Sequence, residues 1–212
     1  MTLHARNWII VSGCPDAGKT TLIEAIKHHS RRLKFVGPPS VRQLKYCIST
    51  YQKTPHLKGH SGGESFLGIV QHAPHNLPAS YAAVVHEMAQ SSGGTSTWGL
   101  FDTHFVFPVS SRRYRRIYDP RAFEMLNVQL VLYVHADPAT VLLRYSKRVK
   151  PHHLLGLRAR EIKIIQDREK FYAERLAAVR RVPLFVCDQS SRRCVLRSVR
   201  RILAFCEATE KK

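Results

Sequence analysis

The stretch NWIIVSGCPDAGKTT, residues 7–21, decides the fold of this chain. Its first half is a short apolar run between polar residues, which is the pattern of a buried parallel strand. Its second half includes the segment from Gly13 to Thr20, which matches the pattern G-x-x-x-x-G-K-[ST] in full. After Lys19, apolar residues recur at helical spacing. A strand, a glycine-rich loop and a helix therefore follow one another in the order that a phosphate-binding loop requires.

The residue types of this loop suit a chain of phosphate groups. Glycines allow the backbone to curl so that successive N–H groups point inward, and the start of the helix adds the positive end of its dipole. Lys19 would reach the β- and γ-phosphates of ATP, the Thr20 hydroxyl would hold Mg²⁺, and Thr21 is a further candidate contact. The predicted ATP-binding residues are Gly13, Cys14, Pro15, Asp16, Ala17, Gly18, Lys19, Thr20 and Thr21. The alternative is a glycine-rich turn that only links a strand to a helix.

Asp16 lies in the middle of the loop, where a negative charge would repel a phosphate. Aspartate tolerates left-handed backbone better than most residues do, so the loop can still curl. We expect its carboxylate to point away from the phosphates, toward solvent or toward a basic residue of a lid segment. Replacing Asp16 by glycine should then change the affinity for ATP little.

A second candidate site element is LFDTH, residues 100–104, at the end of an apolar segment. An acid in such a segment is costly unless it meets a cation or hydrogen-bond donors. In phosphate-binding-loop proteins an acid at the tip of a neighbouring strand binds Mg²⁺. Asp102 is therefore the candidate magnesium residue, with Thr103 and His104 orienting the loop or approaching the substrate. The alternative is a turn aspartate that caps the next segment.

Strands and helices alternate along the rest of the chain, which indicates a parallel sheet with helices on both faces. Strands are predicted at 7–12, 33–37, 98–107, 128–136 and 182–188, and helices at 19–30, 40–52, 80–90, 119–127, 137–149, 157–181 and 191–209. Residues 110–116, SSRRYRR, are predicted to be a basic loop. With the glycine-rich loop, this order predicts one α/β domain over residues 1–212 with the three-layer P-loop NTPase fold and a mostly parallel five-stranded sheet.

The charge of the chain is strongly positive. The 212 residues include 34 Lys and Arg against 15 Asp and Glu, a net charge of +19. Between positions 112 and 201, 22 basic residues face 8 acids. Such a field attracts nucleotides, RNA, DNA or acidic surfaces. The alternative is a solvated basic face without a specific partner, and the arginine-rich final helix is open to the same two interpretations.

Composition limits where the protein works. No apolar run approaches the roughly 20 residues that cross a bilayer, and the N-terminal apolar stretch is too short for a secretion signal. The five cysteines are scattered and odd in number, which favours reduced thiols. We therefore expect a soluble, cytoplasmic protein without a membrane partner.

The order of these motifs resembles the archaeal-type adenylate kinases and related small P-loop nucleoside monophosphate kinases. The matching pieces are GCPDAGKTT, DTH at a strand end, PRAFEMLN before VQLVLYVHADP, and ATVLLRYSKR before REIKIIQDREKFYAERLA. The resemblance implies ATP- and Mg²⁺-dependent phosphoryl transfer to a nucleoside monophosphate, usually AMP. It also implies a helical lid at about 144–165 and an acceptor-binding insertion at about 53–97.

By the same resemblance, Arg144 and Arg148 match the lid arginines, with Arg158 and Arg160 further along. Arginine suits this role because its planar fork grips phosphoryl oxygens and stays charged. A closed lid would exclude water from the transfer. The alternative for each arginine is a solvated helix face. The predicted catalytic residues are Lys19, Asp102, Arg144 and Arg148.

The acceptor is the least defined part of the prediction, because the lid segment RVKPHHLLGLRARE and residues 53–97 depart from the family pattern. Candidates for binding an acceptor phosphate are Arg42 and its rivals Arg31, Arg32 and Lys45. Three functions stay open: a nucleoside monophosphate kinase, a kinase acting on a hydroxyl of RNA, DNA or a small molecule, and a nucleotide-binding regulator or assembly ATPase. A metal site at His56, His60, His72 and His75 is a weaker hypothesis, since no cysteine or clustered acid joins them.

Overall fold

A computed structural model describes residues 6–30, 33–36, 98–110, 113–116, 118, 120–124, 126–147 and 157–211. The strands are β1 (Asn7–Ser12), β2 (Phe35–Val36), β3 (Trp98–Thr103), β4 (Val106–Ser110), β5 (Arg113–Arg116), β6 (Asn127–His135) and β7 (Leu184–Asp188). The helices are α1 (Lys19–His29), α2 (Pro138–Ser146), α3 (Ala159–Arg180) and α4 (Arg192–Glu210), with a 3-10 helix at Pro120–Phe123. Of the described helices, none is long and apolar enough to cross a membrane.

Five strands form one parallel sheet in the order β2-β3-β1-β6-β7. Strand β1 lies at the centre, with Val11 opposite Asp102 on β3 and Ser12 opposite Tyr133 on β6. The strands that follow β1 in the chain lie on both sides of it, with β2 and β3 on one side and β6 and β7 on the other. The crevice at the carboxyl end of β1 is therefore the place where such sheets bind ligands. The prediction of an α/β fold with a mostly parallel five-stranded sheet is confirmed, and the glycine-rich loop leaves the sheet at this crevice.

Two apolar clusters cover the two faces of the sheet. Strand β1 contributes side chains to both clusters, since Ile9 and Val11 lie in one and Trp8 and Ile10 lie in the other. The first cluster receives the buried faces of α1 and α4. The second receives the phenylalanines that follow β3 and the C-terminal half of α3. Alternating side chains of a buried strand thus build the three layers that the sequence predicts.

Two helices begin directly after a residue that caps them through its side chain. The Asp137 carboxylate accepts hydrogen bonds from the backbone N–H groups of Ala139 at 3.0 Å and Thr140 at 3.1 Å, with Pro138 in the first helical position. Ser191 caps α4 through its hydroxyl, which accepts the N–H of Cys194 at 3.2 Å. These bonds satisfy donors that a helix start leaves unpaired, so both caps fix where the chain enters the helix.

Three local predictions are wrong. The predicted strand 98–107 ends at Thr103, and a second strand begins at Val106. The predicted basic loop includes β5, which pairs with β4 in an antiparallel hairpin. The predicted helix at 119–127 is only the 3-10 helix at Pro120–Phe123. The predicted helices at 40–52 and 80–90, the insertion at 53–97 and the lid residues 148–156 lie outside the described residues.

Candidate functional site

The glycine-rich loop has the curled backbone that its sequence predicts. Gly13, Asp16 and Gly18 have positive φ angles of 155°, 61° and 104°. A Cβ atom at Gly13 would lie 2.3 Å from the backbone oxygen of Val134, so the start of the loop passes too close to β6 for any side chain. Gly18 immediately precedes α1, in the left-handed conformation that glycine adopts without strain. The two glycines thus have separate roles: one permits close packing and the other turns the chain into the helix.

Asp16 adopts the left-handed conformation that we expected for it, with φ of 61°. Its backbone oxygen faces Arg144, whose Nη1 lies 3.3 Å away. The flanking residues Pro15 and Ala17 are half-buried and buried, and Thr20 and Thr21 are exposed in the first turn of α1. The side chains of Thr20 and Thr21 are therefore accessible at the start of α1.

Lys19 is the side chain on which the site converges. It is 6% exposed, and its ammonium group donates to the backbone oxygens of Gly13 at 2.9 Å and Cys14 at 3.3 Å. The same nitrogen lies 3.8 Å from Asp102 Oδ1 and 3.4 Å from each ring nitrogen of His104. A buried ammonium group needs such oxygen partners to offset its lost hydration. The loop and the DTH segment, predicted separately from the sequence, therefore meet at this cation.

Asp102 lies one residue before the end of β3, beside the loop. Its Oδ1 atom is buried and accepts no hydrogen bond from the described residues. Burial raises the pKa of this carboxyl, and the charge of Lys19 opposes the shift. A buried carboxylate oxygen without a hydrogen-bond donor, at the strand end beside the glycine-rich loop, is the type of ligand that suits Mg²⁺. The described residues contain no group of three or more His, Cys, Asp or Glu side chains that could hold a metal, so water and phosphate oxygens would complete such a shell.

Glu169 is a site residue that the sequence prediction missed. It lies on α3, is fully buried, and its Oε2 accepts a hydrogen bond from Ser12 Oγ at 2.6 Å. Its Oε1 accepts the backbone N–H groups of Phe105 and Val106, both at 3.0 Å. Burial raises the pKa of Glu169, while the hydrogen bond from Ser12 and those from the backbone lower it. One carboxylate thus joins the end of β1, the chain after Asp102 and the long helix.

This role could have been found from the pattern of α3. The buried face of this helix is lined by Ile162, Ile165, Gln166, Glu169, Ala173, Leu176 and Ala177. A glutamate is almost never fully buried without a partner, so an acid within an apolar stripe indicates a hydrogen-bonded structural or functional role. The partners of Glu169 could not be read from the sequence, because Ser12 is 157 positions away.

Cys14 contributes its backbone and not its thiol. The side chain is buried, and burial raises the pKa of the thiol to about 12, with Lys19 opposing the shift. A thiol with such a pKa is protonated at neutral pH and is a poor nucleophile. The carbonyl of Cys14 is what the site uses, since it accepts hydrogen bonds from Lys19 and from the N–H of Ala17.

Arg144 lies on α2 and contacts the outer side of the loop. Its Nη1 donates to the backbone oxygen of Ala17 at 3.0 Å, and its Nη2 donates to that of Gln189 after β7. Arg158 and Arg160 are exposed at the start of α3, and Arg148 lies outside the described residues. Of the predicted lid arginines, the structure thus brings Arg144 to the loop. Its part in the chemistry stays a prediction, because its described partners are backbone carbonyls.

Comparisons with known proteins agree with this architecture. No protein-family model and no curated protein matches the chain. Shikimate kinase from Bacteroides thetaiotaomicron has a TM-score of 0.51 at 16% identity, over 94% of this chain and 98% of that one. Deoxyadenosine kinase from M. mycoides, solved with bound dATP, has a TM-score of 0.51 at 13% identity, over 93% and 99%. The structure of TT1252 from Thermus thermophilus has a TM-score of 0.52 at 16% identity, over 94% and 97%.

At these identities the similarity concerns the fold alone. The described architecture is the α/β fold of small P-loop kinases, as the loop and the sheet order also indicate. The resemblance to nucleoside monophosphate kinases is supported at this level of fold. None of the three structures is an archaeal-type adenylate kinase by its description, so the narrower resemblance carries no further weight.

Proposed function

We propose that this protein is a cytoplasmic ATP- and Mg²⁺-dependent phosphotransferase, and that its acceptor is a nucleoside monophosphate, with AMP favoured. The observation that carries the proposal is the position of the Lys19 ammonium group, 2.9 Å from Gly13 O and 3.8 Å from Asp102 Oδ1. A cation held between a phosphate-binding backbone and an acid at the adjacent strand end is the arrangement that binds a triphosphate with magnesium.

The residues around the site divide the work of phosphoryl transfer. The N–H groups of the loop would hold the phosphates of ATP, and Lys19 would exchange backbone oxygens for phosphate oxygens. Thr20 and Asp102 would hold Mg²⁺, which neutralises phosphate charge when bound. Arg144, and Arg148 in the proposed lid, would add positive charge near the transferred group. Little covalent help is needed, because the enzyme mainly aligns donor and acceptor.

The role of Asp102 depends on the class of acceptor. If the acceptor is a phosphate, as in AMP, no general base is needed, and Asp102 serves the metal alone. A second candidate function is a kinase that acts on a hydroxyl of RNA, DNA or a small molecule. The Oδ1 atom of Asp102 favours it, because this buried oxygen has no donor among the described residues and could accept a hydroxyl proton.

A panel of acceptors with γ-labelled ATP and Mg²⁺ tests the proposal. The acceptors are AMP, CMP, dTMP, 5′-hydroxyl RNA and water alone, and each is run with the wild type and with Asp102→Asn. Label transferred to a nucleoside monophosphate supports the first function. Label transferred only to RNA replaces it with the second. Slow release of phosphate without any transfer would contradict the first function and a kinase acting on RNA, and would favour a regulatory nucleotide-binding protein.

A further inference from the structure

We propose that the arginine face of α4 binds single-stranded nucleic acid through its phosphates. The arginine face is defined by four cations and one apolar residue between them: Arg192, Arg193, Leu196, Arg197 and Arg200. These side chains line a surface cavity of about 580 Å³. The proposal concerns a second surface and does not depend on the phosphotransferase activity.

The positive charge of this face is not compensated. All four arginines are exposed, and none forms an ion pair with an acid within the described ranges. The sequence has no acid between Arg192 and Cys206. By contrast, Lys163 and Lys170 on α3 pair with Asp167 and Glu174 one turn further along. The exposed cations of α3 are thus partly neutralised, whereas those of the arginine face remain available to an external anion.

The geometry of the face suits a repeating anion. Arg193, Arg197 and Arg200 follow one another at helical spacing on one side of α4, a row about 10 Å long at 1.5 Å per residue. A fifth arginine of the helix, Arg201, is excluded from the row because its guanidinium lies over the ring of Phe185, 3.8 Å from the centroid. Such a row of cations can bind successive phosphates of one nucleic-acid strand.

Nucleic acid is the polyanion that these residue types favour. All four cations are arginines, whose planar forks bind phosphate oxygens in pairs and stack on bases. Leu196, within the row, offers an apolar contact to an unstacked base. The net charge of +19 adds long-range attraction for a densely charged chain. A single strand fits better than a duplex, because only its bases are free to contact Leu196.

The start of α4 is close to the candidate nucleotide site. Helix α4 begins three residues after Gln189, and a Cβ atom at Gly18 would lie 3.1 Å from Gln189 Cβ. Helix α4 starts at the carboxyl end of β7, and its other end reaches the start of β3, where Trp98 Nε1 donates to Glu210 Oε1 at 3.2 Å. The row of arginines therefore begins near the glycine-rich loop and runs away from it along α4.

The test measures binding of a fluorescein-labelled oligouridine by anisotropy over a series of salt concentrations. The double variant Arg193→Gln/Arg197→Gln should weaken binding at least tenfold. It should also reduce the slope of log K against log salt by about 1.4, at roughly 0.7 for each lost phosphate contact. Arg193→Lys/Arg197→Lys should retain most of the slope and part of the affinity. Circular dichroism melts confirm that each variant is folded.

The matched control is Lys170→Gln/Arg175→Gln, which removes two exposed cations from α3. Its affinity should stay within about twofold of the wild type. The proposal is overturned if Arg193→Gln/Arg197→Gln and the control variant weaken RNA binding equally, or if neither weakens it. It is also overturned if the wild type binds polyglutamate or anionic vesicles but not RNA. Lys19→Ala should bind RNA normally, so a failure of the nucleotide site is distinguishable from a failure of this one.

Discussion

At the residue scale, the conformation of the loop depends on which side chain each position can accommodate. Gly13 is needed for packing, because β6 lies against its Cα. Asp16 is tolerated for a different reason, since its left-handed backbone is one that aspartate can adopt. Lys19 and Glu169 are buried ionisable groups that stay in place through their hydrogen bonds.

Gly13→Ala should damage the fold as well as the site. The new methyl group would lie 2.3 Å from the Val134 oxygen, at a positive φ that alanine disfavours, so the loop must move. We expect the free energy of unfolding to fall by about 1–3 kcal/mol, with weaker ATP binding. Urea denaturation and calorimetry measure the two effects. Unchanged stability would show that the loop is not packed against β6 as described.

For Asp16→Gly, in the same loop, we expect little change in the fold or in ATP binding. Glycine adopts a φ of 61° freely, so the backbone should keep its shape without the carboxylate. The affinity for Mg·ATP measured by calorimetry should stay within about twofold of the wild type, since we expect the carboxylate to point away from the phosphates. A change of tenfold or more would mean that the carboxylate touches the bound nucleotide.

Glu169→Gln tests whether this acid positions the DTH segment. The glutamine would keep the size of the side chain. It would, however, place an amide donor opposite the backbone N–H groups that now donate hydrogen bonds to Oε1 and Oε2. We expect a loss of about 1–3 kcal/mol in stability, together with a lower kcat and a nearly unchanged KM for ATP. A purely structural role would lower the melting temperature and leave kcat of the folded fraction intact. Glu174→Gln, on the exposed side of α3, is the control.

At the element scale, regular patterns were predictable and contacts between distant elements were not. The apolar patterns gave helices α2 and α4 and the five sheet strands, because these follow from local chemistry. The hairpin of β4 and β5 was missed because Pro108 interrupts one strand and the other is nearly all basic. Its placement depends on Glu169, which binds the chain at Phe105 and Val106 from a helix far along the sequence.

The cap of α2 matters for the site, because this helix holds Arg144 against the loop. Asp137→Ala removes the acceptor for two backbone N–H groups and should lower the free energy of unfolding by about 1 kcal/mol. Asp167→Ala removes an exposed aspartate that pairs with Lys163 and should cost no more than about 0.5 kcal/mol. Chemical denaturation compares the two variants. Equal losses would mean that the cap does not stabilise α2.

At the scale of the whole molecule, the sheet order places the loop and Asp102 side by side. The sequence could predict both motifs, and the parallel pairing of β1 with β3 explains why they meet, since Ser12 lies opposite Thr103 at the shared edge. The sequence could not give the direction of Arg144 or the buried position of Glu169, because both depend on tertiary packing. The arginines of the final helix were plain from the sequence, but the cavity that four of them line required the structure.

Isothermal calorimetry of the wild type and of Lys19→Ala with Mg·ATP tests the phosphate-binding site most directly. Lys27→Ala, two turns along the same helix, is the control. We expect the wild type and the control to bind Mg·ATP with similar affinity, and Lys19→Ala to bind at least tenfold more weakly while remaining folded. Absence of binding by the folded wild type, or equal affinity in Lys19→Ala, would contradict the assignment of this loop as a nucleotide site.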